Sequence, residues 1–212
     1  MHIEGKLSVL KNMAVEYGVE KIANYILDNP KFQIWSGSSH ITQHHYGKHG
    51  LFNHTYEVIH LCKMMSKYYS CYSIDSKVLF LGALYHDCGK VYDYKPLNDE
   101  LTSWDSENHK RLIHHISKSS IEWSFACCNN WEELALIESK FSDYSNISEK
   151  QFNSFFDSVA HIILSHHGNR IAGSPVSPKS REAWLVHLCD GISARMYDAD
   201  TWDVVTGKNT GD

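Results

Sequence analysis

Residues 78–85 read VLFLGALY, an unbroken apolar run, and the run ends directly in His86 and Asp87. A stretch of that length and polarity is at home only where it is covered on every side, as a buried helix is. The imidazole and carboxylate at its end are therefore drawn into the interior with it. Burying those two groups is costly unless something positive meets them. The same demand recurs along the chain, and it limits which folds the sequence can adopt.

Apolar residues recur at a helical period and strand signals are weak. Helices are expected over 5–28, 51–69, 76–87, 109–129, 131–140, 149–167 and 178–198, with at most a small hairpin near 91–104. Turn-rich pieces separate them, among them SGSSHITQHHYGKHG, DYSN and GNRIAGSPVSP. Ser177 followed by Pro178 reads as a helix cap with proline at the first helical position, and Gly168 as a helix stop. The expectation is one all-α domain, large enough at 212 residues to bury its own core.

On these helices, ionisable groups fall on the apolar stripes. His54 shares a face with Leu51, Val58, Cys62 and Met65, and His86 and Asp87 follow Leu79, Gly82 and Ala83. His115 edges the stripe of Leu112, Ile116, Ser119, Trp123 and Ala126. His166 and His167 follow Val159, Ile162 and Ile163, and Asp190 is bracketed by Ala183, Val186, Ala194 and Tyr197. A single inward His is usually a hydrogen-bonded core residue, and a single inward Asp could pair with Arg181 or Arg195. Five helices that all aim such groups inward point to one shared cause, a metal centre that offsets the carboxylates and takes neutral imidazoles as donors. Nitrogen and oxygen donors without a thiolate suit manganese, iron, cobalt, nickel or zinc better than magnesium or calcium. Seven candidates are too many for one open site but suffice for two ions, with Asp87, in the middle of the set, as the bridge.

Composition excludes several alternatives. A net charge of −5 and a pI near 6.3 leave no global basic footprint for non-specific nucleic-acid binding. The six cysteines form no CxxC pair and read as small buried hydrophobes of a reducing compartment. The N-terminus lacks an apolar signal core and no run reaches transmembrane length, so a cytoplasmic protein without a membrane partner is expected.

The order His54, His86-Asp87, His115, His166-His167, Asp190 resembles the HD-domain metal-dependent phosphohydrolases. Within them it is most similar to the HD domain of bacterial YhaM-type 3′–5′ exoribonucleases. The likeness runs through HHYGKHGLFNHTYEV, LGALYHDCGKVYDY, KRLIHHIS, HIILSHHGNRIAGSPVSP and EAWLVHLCDGISARM, spanning about 44–198. It implies an HD-domain helical bundle over 44–200 with metal in its core, a helical extension at 1–43 and a polar tail at 201–212. It further implies hydrolysis of phosphoester bonds in nucleotides or short single-stranded nucleic acid by a metal-activated hydroxide. The alternatives are a nucleotidase or phosphomonoesterase acting on free nucleotides, and an HD-fold di-iron oxygenase. Two departures stand out. Residues 1–45 are too few and too helical for the OB-type domain of those exoribonucleases, which favours small substrates, and His114 stands where the family has Gly.

The resemblance also distributes roles. His54, His86 and Asp190 with Asp87 would hold one divalent ion, and His115, His166 and His167 with Asp87 the other. Manganese is the first expectation, with iron, nickel, cobalt, zinc or magnesium as alternatives. Lys90, just past the turn at Gly89, would meet a phosphate or the leaving group as a point charge. His44 and His45 match the family's paired His and would approach the substrate, and Arg170 would clamp a phosphate. His60, His109, His161 and His187 are expected to be structural, and no protein partner is required.

Overall fold

Gly18 divides the first expected helix. Helix α1 (Ile3–Tyr17) ends there with Gly18 at φ 65°, and the Gly18 and Val19 amides donate to Val15 and Ala14 carbonyls, a glycine stop that L-residues fill poorly. Then come α2 (Glu20–Leu27), α3 (Pro30–Ile34), α4 (Gly50–Tyr68), α5 (Ser76–Tyr85) and α6 (Lys90–Asp93). A hairpin of β1 (Tyr94–Pro96) and β2 (Trp104–Ser106) pairs Tyr94 with Ser106 antiparallel, close to where a small one was expected. The order closes with α7 (Asn108–Leu112), α8 (His115–Asn129), α9 (Trp131–Asp143), α10 (Phe155–Ser165) and α11 (Arg181–Thr206). This computed structural model describes residues 2–143 and 154–206. The DYSN turn past Asp143, the first residues (149–153) of the expected helix at 149–167, and residues 207–212 lie outside the described residues, while 201–206 of the expected tail continue α11 instead.

Two further expected helices differ. The one at 109–129 is broken into α7 and α8 at His114, which takes φ 70° and ψ 145°, a conformation no helix can contain. Leu112 therefore leaves the expected stripe and stands 79% exposed. The last helix starts at Arg181 instead of Pro178, because the Ser180 hydroxyl, not Ser177, accepts from the Ala183 amide. Gly168 does mark a stop: it sits at φ 93°, and a Cβ there would lie 2.6 Å from the His187 ring.

Helix α5 is the axis of the molecule. Asp75 caps it by accepting from the Lys77 and Val78 amides, and every residue from Val78 to Tyr85 is buried. Helices α4, α8, α10 and α11 pack around it. Gly82 permits the closest approach, since a Cβ there would come within 2.4 Å of Ile162 Cδ1 on α10. Beneath, Trp123 lies with its ring centroid 5.3 Å from Tyr85 and 5.6 Å from Phe156. The Tyr85 hydroxyl donates to the Ile22 carbonyl at 2.6 Å, tying α2 into the same core. Burying each such large side chain contributes about 1.5–3 kcal/mol. Cys62, Cys88, Cys127 and Cys189 are buried as expected, whereas Cys71, beyond the end of α4, and Cys128, on the outward face of α8, are exposed. Among the described residues no helix is long and apolar enough to cross a membrane.

Candidate metal centre

The bundle delivers its ionisable groups to one point, mostly from helix ends. His54 comes from α4 and Asp190 from α11, both facing α5. His86 caps the C-terminus of α5, with Asp87 next, and His166 caps α10, with His167 next. His115 opens α8. At both C-caps the ring Nδ1–H donates three residues back, His86 to Ala83 O at 2.7 Å and His166 to Ile163 O at 2.8 Å. A carbonyl can only accept, so each Nδ1 carries the proton and each Nε2 presents its lone pair inward.

Among the described residues two groups of donors share Asp87, and a third joins His54 to His44 and His45. In the first, His54 Nε2 lies 3.0 Å from Asp190 Oδ1 and 3.4 Å from Asp87 Oδ2, and His86 Nε2 lies 3.4 Å from the same Asp87 oxygen. In the second, His115 Nε2 and His166 Nε2 lie 3.4 and 3.5 Å from Asp87 Oδ1, and His115 Nε2 stands 3.4 Å from His167 Nε2. His167 donates through Nδ1 to Ala172 O at 3.1 Å, and His115 through Nδ1 to Asp93 Oδ2 at 3.2 Å. Both facing Nε2 atoms are therefore bare, and two lone pairs at that distance repel unless a cation lies between them. Asp87 Oδ1 and His166 Nε2 are buried with no hydrogen-bond partner. Within each group the donor atoms lie within 4.8 Å of one another, which fits a divalent cation.

The two groups differ in what the protein's own charges do to them. Burial opposes a proton on His54, yet Asp190 and Asp87 raise it to about 9. Burial lowers His115 to about 4 despite Asp93, and burial with the neighbouring imidazoles lowers His167 to about 3. A proton can thus stand in for a metal between His54 and Asp190, but not between His115 and His167. Burial works against charge on Asp87 too, but Lys90 and His86 hold its carboxyl well below the carboxylate range.

The remaining expected residues divide. Lys90 is buried, with its ammonium 2.7 Å from Asp87 Oδ2, so it neutralises the shared carboxylate. His45 is buried against His54 and directs Nε2–H to Glu57 Oε2 at 3.0 Å, which makes it a support behind the cluster. His44 is half-buried, with its ring 5.1 Å from His54, and burial and Lys90 lower it to about 2. Arg170 is exposed in the loop after α10, and no contact brings it to the cluster. His114 lays its ring over His115, with centroids 4.1 Å apart. His60, His109 and His187 make the short hydrogen bonds of structural residues, to Tyr56 O, Asp93 Oδ1 and His166 O.

Sequence reasoning missed the residues that aim these rings. Asp93, fully buried, accepts from His109 Nδ1, from the His115 amide and from His115 Nδ1. On the other side, His54 Nδ1 donates to Ser193 Oγ at 3.1 Å, and Ser193 donates to Glu57 Oε2 at 2.9 Å. Asp93 sits in a four-residue helix too short to show a period, while Ser193 follows Asp190 by three residues and could have been found on its face.

With the geometry set out, the comparisons with known proteins agree with it. The chain is 28% identical to the 3′–5′ exoribonuclease YhaM of Bacillus subtilis (strain 168) over 183 residues, 86% of this chain and 50% of that protein. It is 26% identical to the exoribonuclease YhaM of Shouchella clausii, covering 86% of this chain and 49% of that protein. The chain thus spans about half the length of the curated relatives it matches. No solved structure gives a significant match. The family model described as HD domain matches residues 51–195, which contain both donor groups and all but the first helices of the bundle. On that match, across more than half of its length, the chain belongs to the HD domain family.

Proposed function

We propose that this protein is a metal-dependent phosphohydrolase that cleaves phosphodiester bonds of nucleotides or short single-stranded nucleic acid. The HD family and the exoribonuclease relatives support a metal-dependent hydrolase. One observation carries the reading furthest. Asp87 is buried between two sets of inward Nε2 atoms and gives one oxygen to each, and its Oδ1 has no hydrogen-bond partner.

In this reading His54, His86, Asp87 and Asp190 would hold one divalent ion, and Asp87, His115, His166 and His167 would hold a second. Such a pair, when bound, supplies an activated water and offsets the charge on phosphorus. The protein's own residues do the rest. Ala83 O and Ile163 O fix the tautomers of His86 and His166, so the site needs little reorganisation. Lys90 balances Asp87 and leaves a positive charge at its edge for a phosphate oxygen. The relatives' activity as 3′–5′ exoribonucleases supports a nucleic-acid substrate.

The test is metal analysis of the purified protein, followed by rates on a bis-ester chromogenic phosphate, a mono-ester one and a single-stranded oligoribonucleotide. The wild type should contain metal and prefer the diesters. Asp87→Ala should lose metal and at least about a hundredfold in rate, with its helix content unchanged. Undiminished turnover in Asp87→Ala would overturn the assignment.

A further inference from the structure

Several partly buried lysines of this molecule are held by carboxylates or amides: Lys90 by Asp87, Lys118 by Glu122 at 2.8 Å, Lys6 by Asn53 Oδ1 at 2.8 Å. Lys110, on α7, is different. It is half-buried, yet among the described residues no carboxylate lies within ion-pair distance of it. Its Nζ has a long contact to Ser39 Oγ at 3.4 Å and stands 5.0 Å from the centre of the Tyr94 ring. Asp93, close by in sequence to Tyr94, is already occupied by His109 and His115. Burial disfavours the Lys110 ammonium, Asp93 partly offsets this from beyond ion-pair distance, and Lys90 adds a like charge against it.

Placement gives this cation a purpose. Ser39 belongs to the loop that carries His44 and His45, and Tyr94 follows directly on Asp93. Tyr94 is itself buried, and its surroundings include both Lys90 and Asp87. Lys110 therefore stands at the seam where the His44 loop, the hairpin and α7 meet. A half-buried ammonium with no carboxylate in direct contact is costly, and a cation–π contact of about 0.5–1 kcal/mol does not offset it. Such a group is suited to an anion brought in from outside.

We propose that Lys110 binds a substrate phosphate other than the one at the His/Asp cluster. This inference rests on reading the cluster as a phosphoester-cleaving centre, and it deepens that reading. It assigns to the protein substrates with at least two phosphates, which a 5′-phosphorylated oligonucleotide or a nucleoside polyphosphate can present and a simple phosphomonoester cannot.

The experiment is binding of a 5′-phosphorylated thymidine dinucleotide with a phosphorothioate linkage, the same dinucleotide without its 5′-phosphate, and ATP, each measured across a salt series. Lys110→Gln should weaken the phosphorylated dinucleotide or ATP by about ten- to a hundredfold. For the dinucleotide, the plot of log affinity against log salt should become shallower by about 0.7. Lys110→Arg should recover most of the loss, Lys140→Gln should match the wild type, and the dinucleotide lacking its 5′-phosphate should lose little. Whichever of ATP and the phosphorylated dinucleotide responds identifies the source of the second phosphate. Equal affinities in wild type and Lys110→Gln, or a wild type that binds none of the three, would overturn the proposal, as would a Lys110→Gln loss confined to thermal stability. A wild type that binds the phosphorylated ligand through Lys110 but hydrolyses no phosphodiester would leave this site standing and defeat the catalytic reading instead.

Discussion

The His54, His86 and Asp190 side of the cluster and the His115, His166 and His167 side use nearly the same atoms but are tuned in opposite directions. On the first, two carboxylates meet two imidazoles, and a proton on His54 is welcome. On the second, three imidazoles gather at one carboxylate oxygen, and two of them refuse protons, His115 down to about 4 and His167 down to about 3. The supports differ as well. Asp93 touches His115 directly, whereas Glu57 reaches His54 through the Ser193 hydroxyl. Donor identity alone therefore does not set a site's character; the balance of carboxylates and the distance to the next support do. The first side can rest without metal, and the second is the one whose lone pairs demand it.

The largest effect that separates the two should come from the supports. Asp93→Asn is expected to weaken metal binding on the His115 side by about ten- to a hundredfold, and Ser193→Ala to weaken the His54 side by less, since Glu57 acts on that ring only through the serine. Metal titration that resolves two affinities would show this, and equal losses in both variants would erase the contrast. Gly82→Ala should act on the two sides together. Its Cβ would meet Ile162, and α5 and α10 carry His86 and His166 at their ends. A cost of about 1–3 kcal/mol is expected, read as a lower melting temperature with both metal affinities reduced in parallel.

The smallest effect is the pH dependence of the chelator-treated protein, and its two limbs belong to different sides. His54 is raised from 6.5 to about 9, so its contribution is complete below 6.5 and drains away as pH rises through about 9. His115 and His167 are depressed, so between 6.5 and about 4 the unfolded chain takes up protons that the folded chain declines. Stability should thus also fall as pH drops through that window. Melting curves of His54→Gln should lose the alkaline limb and keep the acid one, and a variant that flattens both limbs would show that the sides are not independent.

Much of this was legible in the sequence because burial forces it. An apolar run that ends in His86-Asp87 must carry them inward, and the same holds for Ile162-Ile163 before His166. What escaped was governed by single backbone choices and by short elements. Gly18 split a helix whose apolar period continued across it, and His114 broke another at a residue that does not ordinarily take positive φ. Leu112 kept the spacing of a stripe but lost the stripe when α7 ended. Ser180 outcompeted Ser177 as the cap, even though Pro178 favours a start at its own position. Asp93, Glu57 and Lys110 matter through partners distant in sequence, and no local pattern announces such pairings.

The backbone of His114 sits in a region that glycine enters freely and other residues enter at about 1–3 kcal/mol. The molecule therefore carries a loaded spring at its rim, wound by one imidazole. Glycine at position 114 would unwind that spring, but only by giving up the ring that lies 4.1 Å, centroid to centroid, from His115.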